Sequence, residues 1–125
     1  AIMMGLAQPL SAEDMADIDA WYSSQTIAPR SISEDQLTLA SEGESLYRGG
    51  SADLAIQACM ACHGPAGHGI PTNYPRVAGQ WPEYLESQLL AFKSGERAGK
   101  IMGPIAHRLS AQQIHALSVY MSALQ

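Results

Sequence analysis

The chain has 125 residues, of which 46% are hydrophobic and 15% are charged, and its formal net charge is -5 at pH 7. This length gives room for one hydrophobic core, and the acidic balance argues against a broad nucleic-acid-binding surface. No apolar run approaches the roughly 20 residues that span a bilayer, so we expect no nucleic-acid partner and at most a peripheral association with membranes.

The first part of the chain predicts a helix followed by a linker. An amphipathic helix is expected over residues 11–24, and the stretch "TIAPRSIS" at residues 26–33 reads as the linker. The apolar residues of this helix are Met15, Ile18, Trp21 and Tyr22. If they are exposed, they favour association with another surface.

A second helix is predicted directly after the linker. Ser33 followed by Gln36 resembles a capping box, and the pattern then reads as helical to about Tyr47. Gly49 and Gly50 are expected to end this helix.

A glycine inside that helix predicts a close helix crossing. Gly43 and Tyr47 lie four residues apart on one face, and Tyr120 lies near the end of the chain in another predicted helix. Because glycine has no side chain, it could let the two backbones approach while the aromatic rings interlock.

The stretch "ACMACHG" at residues 58–64 carries the clearest chemical signal. Cys59, Cys62 and His63 could form a redox-active pair, half of a zinc site, or two thioether anchors and an axial ligand for haem. A redox pair normally lies in a strand-rich fold, and a structural zinc site needs four ligands without a second cysteine pair to supply them. Haem explains all three residue types, because two vinyl groups and one iron can be reached from a single helical turn.

The loop after this motif is rich in glycine and proline and reads "HGPAGHGIPTNYPRVAGQ". Within it, Pro75 could offer its carbonyl to the Nδ1 proton of His63 and so hold the ring in place. Pro82 is then predicted as the first residue of a helix that runs to Ser94 and stops at Gly95.

A methionine downstream is the candidate for a sixth iron ligand. Met102 is predicted to lie in a loop just before the last helix, between Gly99 and the pair Gly103 and Pro104. A thioether at this position would close the site and raise the reduction potential. The alternatives are that Met102 fills a gap in the core or that His107 is the ligand.

The last helix is predicted from a second capping box, formed by Ser110 and Gln113. Its apolar stripe consists of Ile114, Leu117, Met121 and Leu124. Since helix follows helix and strand patterns are lacking, we expect an all-α fold. The candidates to bind haem propionates are Arg76, Gln80, Trp81, Tyr84 and Arg97.

Residues 43–124 resemble the C-terminal domain of cytochromes c4. The members of this family are periplasmic class I cytochromes c with two haems. The motifs that carry the resemblance are "LYRGG", "CHGPAGHG", "AGQ" and "QLLAFKSGER". It implies a class I cytochrome c fold around one covalently bound haem c, preceded by an extra N-terminal helix. It also implies that Cys59 and Cys62 form the thioether bonds and that His63 and Met102 ligate the iron.

The same resemblance implies the function. We expect the protein to be a periplasmic one-electron carrier and not an enzyme. Its expected redox partners are a membrane oxidase or a cytochrome bc complex. The alternatives are a haem domain detached from a larger oxidoreductase and a small haem enzyme or sensor in which the methionine ligand is labile.

An internal repeat sets the expected domain organisation. The stretch "IMMGLAQPLSAEDMADIDAWYS" from Ile2 matches "IMGPIAHRLSAQQIHALSVYMS" from Ile101 at an offset of 99 residues. Residues 1–25 therefore look like the methionine strap and last helix of a first cytochrome c domain, residues 26–33 like a linker, and residues 34–125 like a monohaem domain. Self-association through residues 1–25 is a further expectation.

Overall fold

The computed structural model describes residues 2–26, 28 and 30–125. Ala1, Ile27 and Pro29, which belong to the predicted first segment and linker, lie outside the described residues. The helices are α1 (Ile2–Ala7), α2 (Ala12–Ser23), α3 (Leu37–Gly49), α4 (Met60–His63), α5 (Pro82–Ser94), α6 (Met102–Arg108) and α7 (Ala111–Ala123), with a 3-10 turn at Glu34–Gln36. Within this part of the chain the only extended pairings are two isolated bridges, so the all-α prediction is confirmed.

The hydrophobic core lies where α3, α5 and α7 meet. The helix α3 packs against α7, and α5 packs against both α6 and α7. The buried core residues are Leu46, Tyr47, Ile56, Leu85, Leu89, Ala106, Leu109, Ile114, Leu117, Tyr120 and Met121. This arrangement places α4 and the loop after it along one side of the core.

The predicted crossing of the first and last core helices is present. A Cβ atom built on Gly43 would collide with the carbonyl oxygen of Ala116 and would lie 2.9 Å from the Cβ atom of Tyr120. The ring centroids of Tyr47 and Tyr120 are 5.5 Å apart. Glycine is therefore required at this point of contact, because any side chain would push α3 away from α7.

The ends of α5 and α7 follow the local signals in the sequence. Pro82 is the first residue of α5, and Gly95 ends it with a positive φ of 83°. In α7 the capping box is complete, since the Gln113 amide donates to the Ser110 hydroxyl over 3.1 Å and the Ser110 amide donates to the Gln113 side chain over 2.8 Å.

The capping box predicted at Ser33 is wrong. The Ser33 hydroxyl donates to the side-chain oxygen of Gln36 over 3.0 Å and makes no cap with a backbone amide. The Gln36 amide instead donates to the Ser33 carbonyl over 2.9 Å, which closes a 3-10 turn. The α-helix therefore begins at Leu37.

The loop predicted around Met102 is also wrong, because Met102 is the first residue of α6. The loop was predicted because Gly103 and Pro104 follow Met102, and such a pair usually interrupts a helix. Pro104 lies in the first turn, where an amide has no partner within the helix, so its missing N–H costs nothing. The Gly103 amide donates to the Gly99 carbonyl over 3.0 Å and starts the turn.

The internal repeat is also a structural repeat. The helices α1 and α2 match α6 and α7 in order, and Ser11 and Asp14 form a capping box as Ser110 and Gln113 do. The apolar residues of α2 are nevertheless exposed, at 50% for Met15, 42% for Ile18, 60% for Trp21 and 67% for Tyr22. Their counterparts at the offset of 99, Ile114, Leu117, Tyr120 and Met121, are buried in the core.

No helix in the described part of the chain is both long and apolar enough to cross a membrane.

Candidate haem site

A cavity of about 570 Å³ lies beside the core and is lined by α4, the loop after it, α5, α6 and α7. Its volume falls in the range of roughly 300–1,000 Å³ that is usual for ligand and cofactor sites. Nine of the ten site residues expected from the sequence line it, namely Cys59, Cys62, His63, Pro75, Arg76, Gln80, Tyr84, Arg97 and Met102. Much of the remaining wall is apolar and includes Leu85, Leu89, Phe92, Ile105, Leu109, Leu117 and Met121.

One helical turn presents the two thiols and the imidazole together. The His63 amide donates to the Cys59 carbonyl over 2.9 Å, which closes the turn that contains Cys62. Gly64 then ends α4 with a φ of 82°, a conformation that glycine adopts without steric cost.

The orientation of the His63 ring is fixed by the loop. His63 is 8% exposed, and its Nδ1 atom lies 2.8 Å from the carbonyl oxygen of Pro75. A carbonyl can only accept, so Nδ1 carries the proton and Nε2 is left with a free lone pair. The Gly69 amide also donates to the His63 carbonyl over 2.9 Å, which anchors the backbone of the same residue.

A buried tyrosine supports the end of the same turn. Tyr47 is 0% exposed, and its hydroxyl donates to the Gly64 carbonyl over 2.7 Å. Burial, together with the neighbouring Cys59 and Tyr120, raises the pKa of the Tyr47 phenol to about 12. The hydroxyl therefore keeps its proton and remains a donor over the physiological pH range.

The environment of the cysteines argues against the two alternatives to haem. Burial, with a smaller contribution from Cys62, raises the pKa of the Cys59 thiol to about 11, whereas a redox-active cysteine pair depends on a lowered thiol pKa. Cys59 and Cys62 are not joined by a disulfide. Among residues 2–26, 28 and 30–125, no three His, Cys, Asp or Glu side chains form a group that could hold a metal ion, so a zinc site is not supported.

The charged residues of the cavity lining are cationic. They are Arg76, Arg97 and Lys100, and the described lining residues include no carboxylate. Arg97 donates to the Gln88 side chain over 2.6 Å, and its guanidinium lies 4.5 Å from the centre of the Phe92 ring. A large apolar molecule with anionic substituents matches this lining.

Trp81 is the one predicted site residue that does not line the cavity. Its ring lies under the guanidinium of Arg30 at 3.5 Å, and it borders a separate groove with Glu86 and His115. The Trp81 side chain is therefore turned toward the linker, and the propionate contact expected for it stays a prediction. Its backbone amide donates to the side chain of Gln80, a lining residue, over 2.8 Å.

Sequence reasoning missed two contributors to the site. Ile105 lines the cavity one turn after Met102, but the spacing of i and i+3 is informative only once α6 is recognised as a helix. The contact from Tyr47 to Gly64 spans 17 residues and has no local signal.

Comparison with known proteins identifies the family to which this cavity belongs. The sequence model of the family described as Cytochrome c matches residues 40–125. The chain belongs to the cytochrome c family. Its cytochrome c domain carries covalently bound haem c, and one haem is consistent with one domain. The apolar walls, the two thiols, the oriented imidazole and the cationic lining all fit that group.

The relatives of this cytochrome include cytochromes c4. Cytochrome c4 of Pseudomonas aeruginosa is 39% identical over 98% of the chain and 62% of the relative. The thiosulfate dehydrogenase electron acceptor of Thiomonas intermedia is 33% identical over 98% of the chain and 58% of the relative. This cytochrome thus spans about 60% of the length of both.

The class I cytochrome c fold is confirmed by a solved structure. The crystal structure of reduced recombinant cytochrome c4 from Pseudomonas stutzeri matches 98% of this chain and 66% of that chain, with a TM-score of 0.85 and 38% identity. The resemblance to cytochrome c4 seen in the sequence motifs is therefore confirmed in both sequence and structure.

Proposed function

We propose that this cytochrome is a periplasmic one-electron carrier in which His63 and Met102 ligate the haem iron. Cys59 and Cys62 form the thioether bonds. The observation that carries the proposal is the 2.8 Å contact between His63 Nδ1 and the Pro75 carbonyl, which leaves Nε2 free on the wall of a cavity that Met102 also lines.

When bound, haem c supplies an iron that alternates between the ferrous and ferric states. The chain contributes the environment of that change. His63 keeps one tautomer because Pro75 accepts its Nδ1 proton, and Met102 supplies a thioether, which favours a high potential. Because His63 and Met102 would both hold the iron, no coordination position would be left for a substrate, which suits a carrier better than an enzyme.

The cationic lining suits the propionates. Arg76 and Arg97 carry the charge, and Gln80 and Tyr84 supply further polar groups on the same lining. Each arginine also has a partner in the protein, since Arg76 donates to the Ala78 carbonyl over 3.1 Å and Arg97 donates to Gln88. These contacts hold the guanidinium groups in place on the cavity wall.

We further propose that residues 34–125 form the monohaem domain, that residues 26–33 are a linker, and that α1 and α2 are the strap and last helix of a first cytochrome c domain. The repeat at the offset of 99 residues and the matching capping boxes support this interpretation. The exposed apolar residues of α2 also support self-association through residues 1–25.

The redox partners are also proposed. The resemblance to cytochromes c4 implies a membrane oxidase or a cytochrome bc complex as the redox partner. The similarity to the Thiomonas intermedia protein favours a second candidate, in which this cytochrome accepts electrons from a thiosulfate dehydrogenase.

The test of the proposed function replaces Met102 with Ala in the haem-loaded protein. The wild-type ferric protein should show the weak far-red charge-transfer band of a sulfur-ligated haem, and the ferrous protein should bind carbon monoxide poorly. Met102→Ala should lose the band and bind carbon monoxide readily, while Met4→Ala, an exposed methionine in α1, should behave as the wild type. A wild-type protein that lacks the band and binds carbon monoxide as readily as the variant would favour an enzyme or a sensor.

A further inference from the structure

The last turn of α5 holds both ends of the segment that carries Met102. At the start of the segment, Phe92 packs so closely on Gly99 that an added Cβ atom would lie 2.6 Å from the ring. At its end, the ammonium group of Lys93 donates to the carbonyl of His107 over 2.8 Å and to the carbonyl of Leu109 over 2.7 Å. Two adjacent residues of one helix thus clamp residues 99–109.

Lys93 contacts backbone carbonyls at the C-terminal end of α6. The last carbonyls of a helix have no amide partner within it, and a cation at that end also interacts favourably with the helix dipole. Helices of seven residues are marginal in water unless other contacts support them. In α6 only Ala106 is buried, and the two bonds from Lys93 add to the support that this helix receives from its packing against α5.

We infer that Lys93 is a positioning residue for the distal ligand: it fixes the end of α6 and so keeps the Met102 sulfur in the cavity. The inference rests on the proposed ligation by Met102. Lys93 does not line the haem cavity. It therefore acts on the iron only indirectly, through the position of α6.

Binding of imidazole to the ferric haem measures this effect directly. Imidazole competes with Met102 for the same position, so its apparent dissociation constant is inversely proportional to the fraction of molecules in which the methionine has left the iron. A change that only lowers the free energy of global unfolding leaves this constant unmoved under native conditions.

The experiment compares Lys93→Met and Arg108→Met in the haem-loaded full chain. Arg108 is the matched control, because it lies in the last turn of α6, is exposed, and makes a long 3.5 Å contact with the Leu54 carbonyl. Both variants lose one positive charge at the same helix end. We expect Lys93→Met to bind imidazole about tenfold more tightly than the wild type, which corresponds to about 1.4 kcal/mol, and to show a weaker sulfur band. Arg108→Met should stay within about twofold of the wild type.

Equal imidazole affinity in the two variants would overturn the inference. If Lys93→Met does not mature, Lys93→Gln removes the charge and keeps the size close, and the same comparison with Arg108→Met applies. Failure of the proposed function gives a different pattern, in which the wild type already lacks the sulfur band and binds imidazole as tightly as Met102→Ala.

Discussion

The phenolic hydroxyl of Tyr47 donates to the carbonyl oxygen of Gly64 over 2.7 Å, and this bond joins the first core helix to the residue that follows His63. The same carbonyl accepts a bond from the Gly67 amide over 3.1 Å. The turn that presents His63 is therefore supported both by its own loop and by a helix from the other side of the core.

Replacement of Tyr47 by Phe should lower the free energy of unfolding by about 1 kcal/mol, the usual net worth of one hydrogen bond. The loss stays modest because Gly67 still donates to Gly64. Tyr120→Phe is the control: its hydroxyl lies 3.5 Å from the Glu44 carboxylate, a weak contact, so its loss should be smaller. Chemical denaturation of both variants measures the difference, and an equal loss would show that the bond from Tyr47 to Gly64 adds no stability.

The raised pKa of Tyr47 predicts a loss of stability at high pH. Its folded-state pKa is about 12, whereas an unfolded tyrosine titrates near 10. Between these values the folded state binds more protons than the unfolded state, so the stabilising effect is complete below pH 10 and is lost as the pH rises toward 12. Unfolding measured from pH 8 to 11 should show a smaller decline in Tyr47→Phe than in the wild type, and parallel curves would contradict the prediction.

Replacement of Gly43 by Ala should destabilise the protein by about 2 kcal/mol or more, because the new methyl group collides with the backbone of α7. Gly49→Ala makes the same change at the end of the same helix, where a Cβ atom meets nothing within 4 Å. This control should stay within about 0.5 kcal/mol of the wild type. Thermal unfolding of the two variants provides the comparison, and a Gly43→Ala protein as stable as Gly49→Ala would argue against the close crossing.

Local signals were enough for the parts of the fold that depend on neighbouring residues. The start of α5 at Pro82 and the cap of α7 at Ser110 follow from residues within one turn. The predicted contact between the Pro75 carbonyl and His63 Nδ1 is also present. The orientation of Trp81 could not be anticipated, since it depends on Arg30 in the linker. At Met102 the pair Gly103 and Pro104 suggested a loop, and the contacts of Phe92 and Lys93 that support a helix there come from α5 and have no local signal.

Loss of the Arg97 charge should lower the reduction potential. Arg97 lines the cavity, and a positive charge close to the iron disfavours the ferric state, which carries one more positive charge than the ferrous state. Arg97→Gln should therefore lower the potential by several times more than Arg48→Gln, since Arg48 forms an exposed pair with Glu44 on α3 and does not line the cavity. Redox titration of both variants measures the potentials. Equal shifts in the two variants would mean that the charge of Arg97 lies too far from the iron to influence its potential.

Removal of residues 1–25 should leave the haem domain as stable as before and abolish any self-association. The helix α2 contains no buried residue, so its deletion removes no core contact, and Arg30 remains in place above Trp81. The apolar residues that the deletion removes include Trp21 and Tyr22, which are 60% and 67% exposed and are costly to leave in water. The melting temperature and the sedimentation coefficient of the two forms check both halves of the prediction. A lower melting temperature would mean that α2 does support the haem domain, and an unchanged sedimentation coefficient for a self-associated chain would place the contact elsewhere on the molecule.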